Sequence, residues 1–363
     1  MSEEIIQHLT QFVSFRTIAG ANDVKKECID WAQETFLKDW KGDDPVHGSF
    51  EDAPYLYLPH QDSKLLFFAH LDVVPAKDHQ FDLTQEGDKL IGRGTSDMKG
   101  NQLPFLMALR DALARGEDPP VSVLLTSDEE TAGPTIPHLL ETGVIKKDIP
   151  VAFTPDTRER IVVEHKGVLW TELVCKGKGS HAAYPWDGEN PNFLLAEALK
   201  IIQREFPQGT KDDWQVTVTP TKLTGSVARN QIPEIASAGI DIRFPPQVCD
   251  SPDEAKALVE KHLPKGCSLE VVLSADPLGT DPNHPMVQLV KKIAEEVTGG
   301  EVIFEREHGG TDARYFGASG IPSFLYGPVG RGLHGADEWV SLKSLVEQYE
   351  MSVKLLEECS REQ

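Results

Sequence analysis

Apolar residues in the first part of the chain fall into short unbroken runs separated by stretches with helical spacing. Ile5 to Phe15 and Val24 to Leu37 repeat apolar positions every three or four residues and predict amphipathic helices. Leu65 to Ala69 is an apolar run that ends at His70. Val121 to Thr126 is a second run, followed at once by Ser127-Asp128-Glu129-Glu130. Between them Gln102 to Arg115 reads as helix, with Gly116 just past its end. Ile136 to Glu141 predicts a further helix, and Val151 to Thr154 a short strand leading to Asp156. Buried strands alternating with helices are the pattern of a mostly parallel sheet covered on both faces.

The pattern changes near Lys166. Val168 to Cys175, Trp214 to Lys222, Ile235 to Phe244 and Ser268 to Leu273 read as strands, with alternation clear at Val216/Val218 and Ile240/Ile242. Asn192 to Phe206 and Pro252 to His262 read as helices, the second with Ser251 as its N-cap. The order β-α-β-β-α-β is ferredoxin-like. A loop from Asp276 to Pro285 carries three prolines and a glycine and suits a linker. Beyond it, Met286 to Val297, Val302 to Glu305, Ile321 to Tyr326 and Leu342 to Glu358 return to the style of the first part. The expected organisation is therefore one α/β domain, residues 1–166 and 276–363, interrupted by an inserted domain at 167–275.

Charge narrows the partners. The chain has 36 basic and 58 acidic residues, a formal charge of −22. Nucleic acid and anionic membranes call for the opposite sign. No apolar run approaches the roughly 20 residues of a membrane span, and the N-terminus lacks the pattern of a signal peptide, so a soluble cytoplasmic protein is expected. The cysteines Cys28, Cys175, Cys249, Cys267 and Cys359 are scattered, odd in number and without a C-x-x-C pair. All five are expected to be thiols, and a bound metal would have to use His and carboxylates.

Those residue types gather at strand ends. His70 and Asp72 are two apart after the first run, a spacing that suits a metal-binding imidazole oriented by a carboxylate. Glu129 and Glu130 follow the second run. Adjacent carboxylates at the end of a buried strand are costly unless paired or bound to metal. One suits a ligand and the other a general base. Asp156 ends a third run, and Leu333-His334-Gly335-Ala336-Asp337-Glu338 supplies a second His. Gly92-Arg93-Gly94-Thr95-Ser96-Asp97-Met98-Lys99-Gly100 is a tight loop, but it matches neither a dinucleotide fingerprint nor a Walker motif. The C-terminal edge of an open α/β sheet is where ligands bind. Two His and several carboxylates without Cys suit zinc, and less often manganese or cobalt. Five ligands are too many for one catalytic zinc and fit two metals sharing a carboxylate.

The motifs H-x-D, G-R-G-x-x-D-M-K-G, D-E-E, P-D, G-S-H-A-A-Y-P, N-x-I-P, D-I-R, G-G-T-D and H-G-x-D-E, in this order, resemble the co-catalytic zinc aminoacylase/carboxypeptidase family. That family includes acetylornithine deacetylase, succinyl-diaminopimelate desuccinylase, aminoacylase and glutamate carboxypeptidase. The resemblance covers nearly the whole chain. It implies a zinc-exopeptidase-like mixed sheet sandwiched by helices, with an inserted ferredoxin-like α+β lid. It also implies that Asp97 bridges two zinc ions, with His70 and Asp156 on one and Glu130 and His334 on the other. Glu129 would be the general base, and Asp72 would hold the tautomer of His70. His181 would reach the active site and stabilise the oxyanion. Asn230, Arg243, Gly309, Gly310 and Thr311 would contact substrate, with Asp312 either in that pocket or capping the next helix. The reaction implied is cleavage of an N-acyl amino acid, with a dipeptidase or carboxypeptidase as the alternative. Asp156 matches members that use Asp here, whereas desuccinylases carry Glu, which counts against that activity. In some members the lids pair as a homodimer. A two-metal phosphoesterase would need basic groups around the phosphate that these motifs lack. A non-catalytic binding protein would show lost ligands, and none is lost here.

Overall fold

The computed structural model describes residues 1–131, 133–225 and 228–361. Two compact units are present. The first comprises Met1–Val163, Thr280–Arg306 and Thr311–Gln363, and the second Glu164–Gly279 and Glu307–Gly310. The second unit thus begins a little before the expected insertion, ends a little after it, and takes in the short segment at 307–310.

The first unit is built on a mixed sheet. Val46–Phe50, Ala53–Leu58, Val121–Thr126, Leu65–His70, Ala152–Thr154, Ser323–Leu325 and Ile161–His165 lie side by side in that order. Val121–Thr126, Leu65–His70, Ala152–Thr154 and Ser323–Leu325 run parallel. Antiparallel pairing takes over toward both edges. The apolar runs occupy the middle: Leu65–His70 and Val121–Thr126 are buried at every position. This follows from having helices on both faces, which leaves no polar side for the strand to alternate toward. The edge hairpin at Val46–Phe50 and Ala53–Leu58 and the strand at Ile161–His165 were not expected. Val46–Phe50 buries no residue fully, so it carries no apolar run to read. The helix Lys99–Ala114 starts earlier than Gln102 and is buried almost throughout. Its first turn presses on the preceding loop: a Cβ on Gly100 would lie 2.0 Å from the carbonyl oxygen of Thr95. Only glycine fits there.

The second unit is a four-stranded antiparallel sheet ordered Thr217–Thr224, Ile235–Phe244, Gly167–Lys176, Cys267–Ala275. Helices Pro191–Glu205 and Pro252–Glu260 pack on one face over Leu169, Leu173, Ile240, Ile242 and Phe244. Ser251 caps the second helix, accepting from Glu254 N at 3.3 Å. Trp214, expected to begin a strand, lies before it, just after a turn closed by Asp213 onto Thr210. The expectation of five thiols fails here: Cys175 and Cys267 form a disulfide. The two sit directly opposite in the register of neighbouring strands. Strand pairing across 92 residues of sequence, invisible in cysteine spacing, brings them together. Cys28, Cys249 and Cys359 are buried thiols. Among the described residues, no helix is long and apolar enough to cross a membrane.

Candidate metal centre

The parallel strands of the first unit deliver their chemistry at one edge. His70 ends Leu65–His70, and Asp72 follows it. Glu129 and Glu130 open a single 3-10 turn just after Val121–Thr126. Asp156 follows Ala152–Thr154. Asp97 lies in the loop that enters the Lys99–Ala114 helix, and its peptide with Met98 is cis. His334 comes from the C-terminal part of the chain.

Five of these side chains converge. His70 Nε2 lies 3.2 Å from Asp97 Oδ1, and His334 Nε2 lies 3.0 Å from Asp97 Oδ2. His334 Nε2 is also 3.2 Å from Glu130 Oε2. Donor atoms of His70, Asp97 and Asp156 fall within 4.8 Å of one another, and so do those of Asp97, Glu130 and His334. Asp97 belongs to both sets and offers one oxygen to each histidine. The five ligands expected from the sequence are therefore brought together, with the residue expected to bridge at their centre.

A second layer of contacts holds them. His70 Nδ1 is 3.1 Å from the main-chain oxygen of Asp72 and 3.5 Å from its Oδ1. The Asp72 carboxylate mainly accepts the backbone N–H groups of Glu129 and Glu130, at 3.3 and 3.0 Å. Residue 72 thus orients the imidazole chiefly through its carbonyl and pins the Glu129–Glu130 turn through its side chain. Gln102 donates to His70 O at 2.7 Å, and Asn101 donates to Pro155 O and Thr157 O on either side of Asp156.

Glu338 is the largest element that sequence reasoning left without a role. Its buried carboxylate accepts from Gly94 N, Ser96 N and Asp97 N at 2.9–3.0 Å and pairs with Arg93. Arg93 in turn donates to His334 O and Gly335 O. One carboxylate thereby ties the Asp97 loop to the His334 turn. His334 sits at φ 61°, a left-handed conformation that costs a non-glycine residue of order 1–3 kcal/mol and persists only where neighbours enforce it. Glu338 was visible only as the last letter of the H-G-x-D-E motif, and Arg93 only as the arginine of G-R-G.

The electrostatics call for a cation. Burial raises Glu130 to about 7, with Asp97 adding to it. Burial likewise pushes Glu129 up and Asp156 well up, again with help from Asp97. Burial opposes charge on Asp97 too, but His334 and His70 outweigh it and hold its carboxyl well below the usual range. His334 is raised to about 9, first by its hydrogen bond to Asp97. His70 Nε2 and Glu130 Oε1 are buried without a hydrogen-bond partner among the described residues. Orphaned donor atoms inside a repulsive carboxylate cluster fit a dication, which would oppose the upward shifts of Glu129, Glu130, Asp156 and His334 and reinforce the downward shift of Asp97.

A pH dependence follows for metal-free protein. Carboxylates raised by folding bind protons more tightly in the native state, so their contribution weakens as pH rises from the ordinary carboxylate range through about 7. A raised histidine stabilises fully below its ordinary value and loses that contribution as pH climbs through about 9. Asp97 has the opposite sign, but its change is complete at acid pH. Metal-free protein should therefore melt lower at pH 9 than at pH 6, and the gain on adding zinc should widen over that interval. Scanning calorimetry with and without chelator checks this; a gain independent of pH would refute it.

Asp312 does not cap its helix, since Thr311 Oγ1 accepts from Ala313 N instead. Its buried carboxylate lies behind the Glu129–Thr131 turn, where a Cβ on Gly133 would be 3.1 Å from its Oδ1. Arg314, nearly buried, lies 3.8 Å away. Of the other expected residues, all but Thr311 belong to the second unit. There His181 pairs with Gln231, and Ala182 N donates to Asn230 O, so His181 and Asn230 are neighbours. His181 is exposed, with Nδ1 accepting from Ala183 N. Arg243 is engaged by Asp241 at 2.7 and 3.1 Å. Gly309 and Gly310 also lie in the second unit, and Thr311 begins the next segment of the first.

Comparison with known proteins gives the family. Succinyl-diaminopimelate desuccinylase of Acidiphilium cryptum is 31% identical over 310 residues, covering 78% of this chain and 80% of that protein. The enzyme of the same name from Rickettsia bellii is 26% identical, covering 97% and 95%. Among solved structures, aminopeptidase PepT from Bacillus cereus superposes with a TM-score of 0.78 at 16% identity, covering 99% of both chains. A metallo-carboxypeptidase of the M20 family from Sulfolobus solfataricus gives 0.75 at 21%, covering 97% and 98%. Residues 66–358 match the family described as Peptidase family M20/M25/M40. The chain belongs to that family and is a metal-dependent hydrolase of amide bonds.

Proposed function

We propose that the protein is a deacylase of N-acyl amino acids that uses two zinc ions, with cobalt or manganese as substitutes, and Glu129 as general base. The observation that carries this reading is Asp97, shared by two donor sets with Glu129 on the adjoining turn. His70, Asp97 and Asp156 would hold one ion, and Asp97, Glu130 and His334 the other. When bound, such ions polarise the scissile carbonyl and lower the pKa of water. The chain's own part is to place and move protons. Glu129 takes a proton from the attacking water and delivers it to the leaving nitrogen. The Asp72 side chain keeps Glu129 in place by gripping its backbone N–H. In this proposal His181 steadies the developing oxyanion, and Asn230, Arg243, Gly309, Gly310 and Thr311 contact the substrate.

The curated relatives named as desuccinylases support deacylation as the reaction type. By the resemblance, desuccinylases typically carry Glu where Asp156 stands, which mildly counts against a succinyl group as the acyl part. The second reading is a dipeptidase or carboxypeptidase of the same family, the activities named for the solved structures of similar fold. The test is a panel of N-acetyl and N-succinyl amino acids and dipeptides with zinc- and cobalt-loaded protein. Turnover of N-acyl amino acids over dipeptides is expected. Dipeptides turned over faster would establish the second reading, and no amide turned over would refute both.

A further inference from the structure

The two donor sets of the first unit are held by different means. The His70 side chain is 3% exposed and ends a central strand. Its Nδ1 lies on Asp72 O, and Gln102 donates to its carbonyl. Asp156 likewise follows a central strand, between two carbonyls that accept from Asn101. Sheet and helix therefore fix these two ligands. His334 has no such frame. Its side chain is 55% exposed, and the groups that pair with Nε2 are Asp97 and Glu130, themselves ligands.

The backbone of a tight turn sets where that ring points. Gly335 N donates to Gly332 O at 2.8 Å, and His334 is the third residue of the turn at φ 61°, a place that favours glycine. A return to the ordinary negative φ would redirect the side chain away from both carboxylates. Two buried side chains oppose that return. Arg93 Nη2 donates to His334 O at 3.1 Å and to Gly335 O at 3.0 Å. Gln80 Nε2 donates to Gly335 O at 3.2 Å and to Ala336 O at 3.3 Å. Each is anchored elsewhere as well, Arg93 by Glu338 and Gln80 by Lys77 N, which donates to its Oε1 at 3.0 Å. Together they grip three successive carbonyls of the turn that carries the ligand.

We infer that Arg93 and Gln80 are positioning residues for one metal site alone: they set the Asp97–Glu130–His334 donors, while the His70–Asp97–Asp156 donors assemble without them. The inference rests on the two-metal reading above and adds that the two sites can be lost separately. Neither residue belongs to a donor set, so each acts through the backbone of His334. Arg93→Lys keeps the charge that pairs with Glu338 and removes the forked donor. Gln80→Met keeps the length and removes both amide donors.

Cobalt is the probe, titrated into full-length protein freed of metal by chelator and dialysis. Calorimetry counts the ions, and visible absorption reports the ligands around each. Wild type should take up two cobalt ions per chain. Arg93→Lys should keep one site at wild-type affinity and weaken the other by about tenfold to a hundredfold, the usual cost of losing a group that orients a ligand. Gln80→Met should weaken the same site, by less. His334→Ala and His70→Ala supply reference spectra, and Arg93→Lys holding one cobalt should match His334→Ala. Two ions bound by both variants as tightly as by wild type overturn the inference, as does a surviving spectrum that matches His70→Ala. Loss of both sites together, with a lower melting temperature in chelator, would mark Arg93 as structural. If Arg93→Lys does not fold, Gln80→Met decides by the same criteria. Wild type that binds fewer than two ions overturns the two-metal reading itself, a result distinct from failure of the variants alone.

Discussion

Asp97→Asn should cost the protein both cations and its turnover. The substitution keeps shape and removes the one charge that both histidines face, at 3.2 and 3.0 Å. Elemental analysis after dialysis should find less than one metal per chain. Activity should fall by at least about a thousandfold, the equivalent of several kcal/mol at about 1.36 kcal/mol per decade. The stability result is the more telling one. Asp97 is the leading charge that raises Glu130 and Asp156 beyond the effect of burial. It is itself held charged by His334 and His70, so in chelator the loss of those pairings opposes the relief of repulsion. The zinc-induced rise in melting temperature should therefore be largely lost in the variant. A variant that keeps two metals, or that gains as much from zinc as wild type, would show that the two donor sets are coincidental.

Glu129→Gln separates the base from the ligands. Glu129 belongs to neither donor set, so metal content should stay at the wild-type level. Loss of a general base lowers the rate by about a hundredfold to ten-thousandfold, and the fall should appear in kcat with KM little changed. The turn itself should survive, because Asp72 holds residues 129 and 130 by their backbone N–H groups rather than by their side chains. A variant with near-normal kcat would remove Glu129 from the reaction. One that lost metal would mean that Glu129 is a ligand. The pair of variants therefore distinguishes a failed centre from a failed base.

Much of this was legible because it is local. An unbroken apolar run needs a strand covered on both faces, and Leu65–His70 and Val121–Thr126 are buried at every position. An acidic or histidine residue just beyond such a run has to emerge at the sheet edge. Alternation at Ile235–Phe244 likewise predicts a strand with one covered face, and its burial alternates residue by residue. Where local signals were weak, the reading fell short. The edge strand Val46–Phe50 has little to bury, and Trp214 is apolar yet lies outside the strand, just past a polar turn.

What the amino-acid sequence determined by itself was the set of strands and helices, and the residue types able to bind metal and move protons. Side-chain volume and polarity act over a few residues, and that is the range a sequence pattern records. Tertiary structure alone decided which of those residues meet. Asp97, Glu130 and His334 converge although more than 200 residues separate the first from the last. Glu338 joins two loops by accepting three backbone N–H groups that no motif could announce. Cys175 and Cys267 pair because strand register sets them opposite each other. Each depends on distances between distant segments, which packing and sheet register set and local composition does not.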